Sequence, residues 1–247
     1  MTMFEYIKKA YHDMKDKPPK ERLEYFMDYY KWPALAVVLV IIITISSIVA
    51  IANRKEDVLF GELLNCSTLV EDVTYMDDFY AVAEIDAKEC SISLSTDLSF
   101  VETGTGTAYE AHQMMVAIVA AKRVDFFVGA DHSFQNCAYN SSRVLADLRN
   151  IMDAETLEKW SDRIYYIDGD VVEQIRNYNN TMTVPEFPDP HDPESMVDPI
   201  PVAIDISDCT AFRETYYPLD QVLYLGIAIN APHPETTLQF IDYLFTK

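Results

Sequence analysis

The sequence predicts an α/β domain, a mostly parallel sheet covered by helices on both faces, preceded by a single transmembrane helix. Three observations predict it. An uncharged run of 21 residues, WPALAVVLVIIITISSIVAIA, spans Trp32 to Ala52. Strand-like and helix-like segments alternate after it, the pattern of parallel sheets. Val124 to Val128, Val202 to Ile206 and Val222 to Ile229 are short, apolar and β-branched, as strands buried on both faces are.

The run from Trp32 to Ala52 matches a bilayer core, which is about 30 Å thick and needs roughly 20 apolar helical residues. Thr44, Ser46 and Ser47 can bond back to helix carbonyls at little cost. Tyr29, Tyr30 and Trp32 place amphipathic rings at the leading edge, and Asn53, Arg54 and Lys55 close the other. Residues 1–31 carry seven Lys/Arg, and after Lys55 the next base is Lys88. Short basic flanks stay cytoplasmic, so residues 1–31 are expected inside, 32–52 in the cell membrane and 56–247 outside. A leader peptidase could read Ala50-Ile51-Ala52, but the apolar run is longer than the usual 7 to 15 residues of a leader, so the expected anchor is uncleaved.

Charge is divided sharply. Residues 1–55 sum to +3, whereas residues 56–247 hold ten bases and 34 acids, a net charge of −24. Such a surface repels nucleic acid and anionic lipid, which excludes a nucleic-acid partner. Cys66, Cys90, Cys137 and Cys209 are an even set, and three disulfide pairings are open to them. Each sits in or beside an apolar run and none forms a CxxC, so they read as small buried hydrophobes.

Inside, Phe4, Ile7, Tyr11 and Met14 recur at helical spacing over residues 3–14, and Lys17-Pro18-Pro19 ends that helix. Leu23, Phe26, Met27 and Tyr30 mark a second helix from Glu21 to Lys31. These read equally as a surface-lying or partner-docking element and as a solvated flank.

Outside, Asp57 to Asn65 forms a first strand. Thr68 and Glu71 make a capping box for a helix reaching about Val82. Cys90 to Ser95 (CSISLS) alternates as a strand does. A loop from Val101 to Thr107 leads into a helix from Ala108 to Lys122, with Met114, Met115, Ile118 and Val119 as its buried stripe. After the strand Val124 to Val128, helical pieces cover Asp131 to Tyr139, Ser142 to Met152 and Ala154 to Trp160, the last capped by Asp153. Ile164 to Ile167 is a strand and Val171 to Tyr178 a helix. Residues 179–200, with five prolines, read as an exposed loop. The strand Val202 to Ile206, a helical turn from Cys209 to Tyr216, the strand Val222 to Ile229 and a helix from Pro234 to Phe245 complete the order, Pro234 sitting in a first turn where proline is welcome.

Three stretches carry a resemblance. AAKRVDFFVGADHSFQNCAYNSSRVLADL (120–148), IPVAIDIS (200–207) and YLGIAINAPHPETTLQFIDYLF (224–245) resemble segments of type 2 extracellular solute-binding proteins. The second corresponds to their strand that returns between lobes and the third to their closing strand and helix. The inner flank, ERLEYFMDYYKWPA, resembles single-pass proteins of low-GC Gram-positive bacteria. The resemblance implies a periplasmic-binding-protein type 2-like fold with a reduced second lobe. It implies a membrane partner such as a transporter or sensor.

No G-x-S-x-G, H-E-x-x-H, Walker loop or G-x-G-x-x-G is present, and His112, His132 and His233 are scattered, so no enzyme and no cofactor are expected. Asp189, His191, Asp192, Glu194 and Asp198 have the oxygens a cation needs, but their spacing fits no known loop, so no metal is expected. In open α/β folds ligands sit beyond the carboxyl ends of strands and at helix N-termini. The candidates on that rule are Thr105, Thr107, Asp131, Ser133, Asp205 and Ser207. Their hydroxyls and carboxylates suit a neutral polyol or a cation. The expected function is a membrane-anchored extracytoplasmic binding or sensing domain. The competing expectation is an interaction module of a membrane complex whose cleft no longer binds.

Overall fold

A computed structural model describes residues 12, 18–29, 31–66, 74–100, 107–177, 185–217 and 221–246. The predicted helix over 3–14, the capping box of Thr68 and Glu71 and the loop around Thr105 lie outside them. The chain divides into two compact units, Met1–Arg54 and Lys55–Lys247.

The first unit holds helices α1 (Pro19–Tyr29) and α2 (Lys31–Ala52). The stretch Lys31–Ile51 is long and apolar enough to cross a membrane, and none of it is buried against the protein. At 1.5 Å per residue its 21 residues reach about 31 Å, the thickness of a hydrocarbon core. Its polar atoms close on themselves: the Thr44 hydroxyl donates to the Val40 carbonyl and the Ser47 hydroxyl to the Ile43 carbonyl, each at 2.8 Å. That is the back-bonding the sequence predicts, seen at Thr44 and Ser47.

The second unit is α/β. Its elements in order are β1 (Glu56–Leu63), α3 (Thr74–Val82), β2 (Cys90–Ser95), α4 (Thr107–Ala120), β3 (Phe126–Ala130), α5 (Asp131–Ala138), α6 (Ala154–Lys159), β4 (Ile164–Asp168), α7 (Gly169–Arg176), β5 (Pro199–Asp205), α8 (Thr210–Tyr216), β6 (Leu223–Ile227) and α9 (Pro234–Leu244). The six strands form one sheet in the order β2-β1-β3-β6-β5-β4. As the apolar runs predict, β3, β6 and β5 are neighbours at its centre.

The sheet is mixed, not mostly parallel. β2, β1 and β3 run parallel, but β6 is antiparallel to both β3 and β5, and β4 is antiparallel to β5. The cause lies in the connections. Ser207 ends β5 and its Oγ accepts from the Leu223 N–H at 3.0 Å, so β6 starts at the end where β5 stops. Asp168 ends β4, and the Gly169 N–H donates to the Asp198 carbonyl at 2.8 Å, so β5 starts where β4 stops. An apolar strand states its burial in its sequence but not its direction.

Side chains alternate across the sheet with period two. Phe126 and Val128 point to one face, with Leu59, Leu63, Leu225 and Ile227; helices α3, α8 and α9 cover it through Phe79, Phe212 and Phe240. Phe127 and Tyr224 point to the other, which α4, α5 and α7 cover through Met115, Phe134 and Val172. On α4, Met115 and Val119 are buried, Ile118 half-buried and Met114 45% exposed, so the stripe is narrower than predicted.

Ser142 to Met152 is not a helix. The Ala146 N–H donates to the Ile227 carbonyl and the Ile229 N–H to the Val144 carbonyl, each at 2.9 Å, so this segment extends β6 through a bridge. Only Leu148–Asn150 winds, as a 3-10 turn capped by Asp147. Residues 185–198 are a strap more than a loose loop. The Tyr166 N–H at the outer edge of the sheet donates to the Pro190 carbonyl at 2.9 Å, and Phe187 packs on Tyr139. The Asp168 carboxylate accepts the N–H groups of Val197 (2.8 Å) and Asp198 (3.0 Å).

Candidate functional site

The strand directions put the carboxyl ends of β1, β3 and β5 at one end of the sheet, together with the start of β6. A cavity of about 530 Å³ lies there, lined by Asn65, Ala130, Asp131, His132, Ser133, Tyr217, Gln221 and Val222. Two predicted site residues, Asp131 and Ser133, therefore share one concave wall. Both come from the first turn of α5, directly after β3.

Each wall has a local cause. Asn65 follows β1 with φ +53°, a left-handed conformation that Asn tolerates well. Its N–H donates to the Leu98 carbonyl at 3.0 Å and its Oδ1 accepts the Phe100 N–H, which fixes the amide. Tyr217 follows α8 and is buried. Its single hydroxyl proton is shared between the Leu64 carbonyl (3.0 Å) and the Val128 carbonyl (3.1 Å), tying the ends of β1 and β3. Burial pushes the Tyr217 phenol well above its ordinary range, so it stays protonated. The Ser133 hydroxyl, 4% exposed with its residue, donates to the Ala130 carbonyl at 2.8 Å. The Asp131 N–H donates to the Val222 carbonyl at 3.2 Å, joining α5 to the start of β6. Among the described residues the lining holds one carboxylate, Asp131, and no Lys or Arg.

Beside the cavity, Tyr224 is pushed up to about 12, by burial first and then by the carboxylates of Asp131, Asp205 and Asp189. Its hydroxyl lies 3.2 Å from His191 Nε2 on the strap.

The other predicted residues do not join the wall. The Asp205 carboxylate accepts the Ser207 N–H at 2.8 Å and the Ser207 hydroxyl, a turn that ends β5. These bonds, through Asp205 Oδ1, shape the turn from β5 to β6. Thr105 lies outside the described residues, and Thr107 starts α4 with its side chain outside them.

The three histidines part company. His132 lines the cavity. His112 packs against Phe100, its ring Nδ1 3.2 Å from the Asn140 amide, and burial holds its pKa below the usual value. His233 sits at the start of α9. The fully buried Asp125 carboxylate accepts the His233 backbone N–H at 2.7 Å and the Phe60 N–H at 2.8 Å, and lies 3.3 Å from His233 Nδ1. The Thr237 hydroxyl nearby donates to the His233 carbonyl. This carboxylate thus locks β1, β3 and α9 together.

No family model, curated protein or solved structure matches this chain. The chemistry of the site must be read from its own residues. Among the described residues, no group of three His, Cys, Asp or Glu is placed to hold a metal ion. None of the four cysteines is in a disulfide, and Cys137 and Cys209 are buried, their thiols pushed up by burial.

Sequence reasoning missed Asn65, Tyr217, Gln221 and Val222. Asn65 was within reach, since it ends a predicted strand as Asp131 follows one. Tyr217 gave no signal, because its role depends on two carbonyls more than 80 residues away in sequence.

Proposed function

We propose that residues 56–247 form a membrane-tethered extracytoplasmic binding or sensing domain that takes a small polar ligand in this cavity. The observation that carries the reading is the cavity's position. It lies beyond the carboxyl ends of β1 and β3, at the head of α5, where open α/β folds hold ligands. The fold would be a reduced relative of type 2 extracellular solute-binding proteins. The segments resembling their returning and closing strands, β5 and β6, pair side by side next to β3, which supports this. With α2 as a single-pass anchor in the cell membrane and the basic flank inside, the ligand would be met outside the cell, and a transporter or sensor in the membrane would read the bound state. The domain is not an enzyme on this reading.

A second reading is an interaction module. Tyr109, 68% exposed, and Met114 on α4 favour it, since they turn apolar surface outward.

The test is a thermal-unfolding screen of the full-length chain in lipid nanodiscs against sugars, amines, amino acids, peptides and metal ions. A ligand that binds the native state raises the midpoint by mass action. The expected result is a shift that Asp131→Ala removes. No shift with any small molecule would overturn the binding reading. Protease added to intact cells should remove residues 56–247, and their protection would overturn the sidedness.

A further inference from the structure

The cavity can be read more closely by asking where each hydroxyl proton goes. Tyr217 has one proton, and two backbone carbonyls share it. Ser133 has one proton, and the Ala130 carbonyl takes it. Each oxygen can then offer a ligand only lone pairs. Asp131, the lining's carboxylate, is acceptor-only when ionised. Three oxygens carried by the lining residues thus have only acceptor capacity left.

An anion is poorly served there. The head of α5 would attract one through its dipole, but Asp131 already sits in that first turn with its negative charge, and its N–H is spent on Val222. No Lys or Arg lines the wall among the described residues, and residues 56–247 carry a net charge of −24. The Asn65 amide, its oxygen held by Phe100, keeps an NH₂ group that suits a neutral oxygen.

We infer that the cavity selects a small organic ammonium compound, with the protonated amine against Asp131, Ser133 and Tyr217 and a neutral polar oxygen elsewhere in the ligand. This rests on the binding reading above and narrows it. An ammonium brings three donors and no acceptor, which is the complement of those three oxygens.

The probes are one matched series: 4-amino-1-butanol, 1,4-butanediol and 4-hydroxybutyrate, which share a four-carbon chain and one hydroxyl and differ in the group at the other end. Each is titrated by calorimetry into the full-length chain in neutral-lipid nanodiscs. The amine should bind at least about tenfold more tightly than the diol, the scale of a charge-assisted hydrogen bond, and the acid should not bind. Asp131→Asn should remove the amine's advantage over the diol, while Asp131→Glu keeps the order. The wild-type ranking tests the idea even where a variant folds badly. Equal binding of amine and diol would overturn the ammonium assignment and leave the binding site standing. An amine advantage that survives Asp131→Asn would mean attraction to the acidic surface, and would also overturn it. No binding by any of the three, together with a blank in the wider screen, would overturn both.

Discussion

Asp125 should be costly to remove from the domain. It is fully buried and accepts two backbone N–H groups, from Phe60 at 2.8 Å and His233 at 2.7 Å. Asp125→Ala leaves both donors inside with no acceptor. A hydrogen bond to a charged group contributes about 1.5–3 kcal/mol, so the loss should be about 3–6 kcal/mol. For a domain of this size each kcal/mol moves the midpoint by about 2–4 °C, which gives a fall of roughly 6–24 °C. His233→Ala is the control. It removes the ring but keeps the backbone N–H that Asp125 holds, so it should cost only about 0.5–1.5 kcal/mol. The assay is unfolding of the full-length chain in nanodiscs, followed by far-ultraviolet circular dichroism and tyrosine fluorescence. If Asp125→Ala unfolds within about 0.5 kcal/mol of the parent, the idea that this carboxylate locks β1, β3 and α9 is wrong.

Tyr217→Phe removes one hydroxyl from two buried carbonyls and should cost about 1–3 kcal/mol in urea unfolding; an unchanged midpoint would refute the tie between β1 and β3. Gly61→Ala should cost about 1–3 kcal/mol in the same assay, because its new methyl would fall 2.5 Å from Phe126 Cε2 and 2.8 Å from Leu94 Cδ2; a neutral result would show that these side chains can move aside. Burial pushes the Asp168 carboxyl up, but the N–H groups of Val197, Asp198 and Asp170 pull it further down, below its ordinary value. A depressed carboxyl stabilises above its unfolded pKa and loses that contribution as pH falls through the folded one. Amide exchange at Val197 and Asp198 should therefore quicken below pH about 4, and Asp168→Asn should quicken it at neutral pH; protection independent of both would refute the strap.

Burial was legible in the sequence, and direction was not. The three apolar runs name β3, β5 and β6 as central because a strand flanked by two cores has no polar side to show. Nothing in those runs says that β6 is reversed, since the cause is the turn at Ser207, whose partner Leu223 lies 16 residues on. Ser142 to Met152 misled for the same reason. Its residues suit a helix, but Val144 and Ala146 pair with the chain at the end of β6, and pairing there outweighs local preference. One rule led to two residues of the cavity wall: Asp131 and Ser133 follow a strand and open a helix. The same rule chose Asp205 and Ser207, which close a turn instead, because a polar residue after a strand can serve either end. Tyr217 and Gln221 reach the wall only through tertiary structure.

The place of β6 has a consequence for how the domain is made. It is the last strand in the order of the chain among those described, yet it lies between β3 and β5. Until Leu223–Ile227 arrives, the earlier strands can form only two separate pieces, β2-β1-β3 and β5-β4. Each piece ends in a bare apolar edge, Phe126–Ala130 on one and Pro199–Asp205 on the other, open to any passing strand. The closing step joins residues about 100 positions apart, so it is entropically slow. A chain halted before Leu223 would hold most of its core residues and still lack the strand that makes them one sheet.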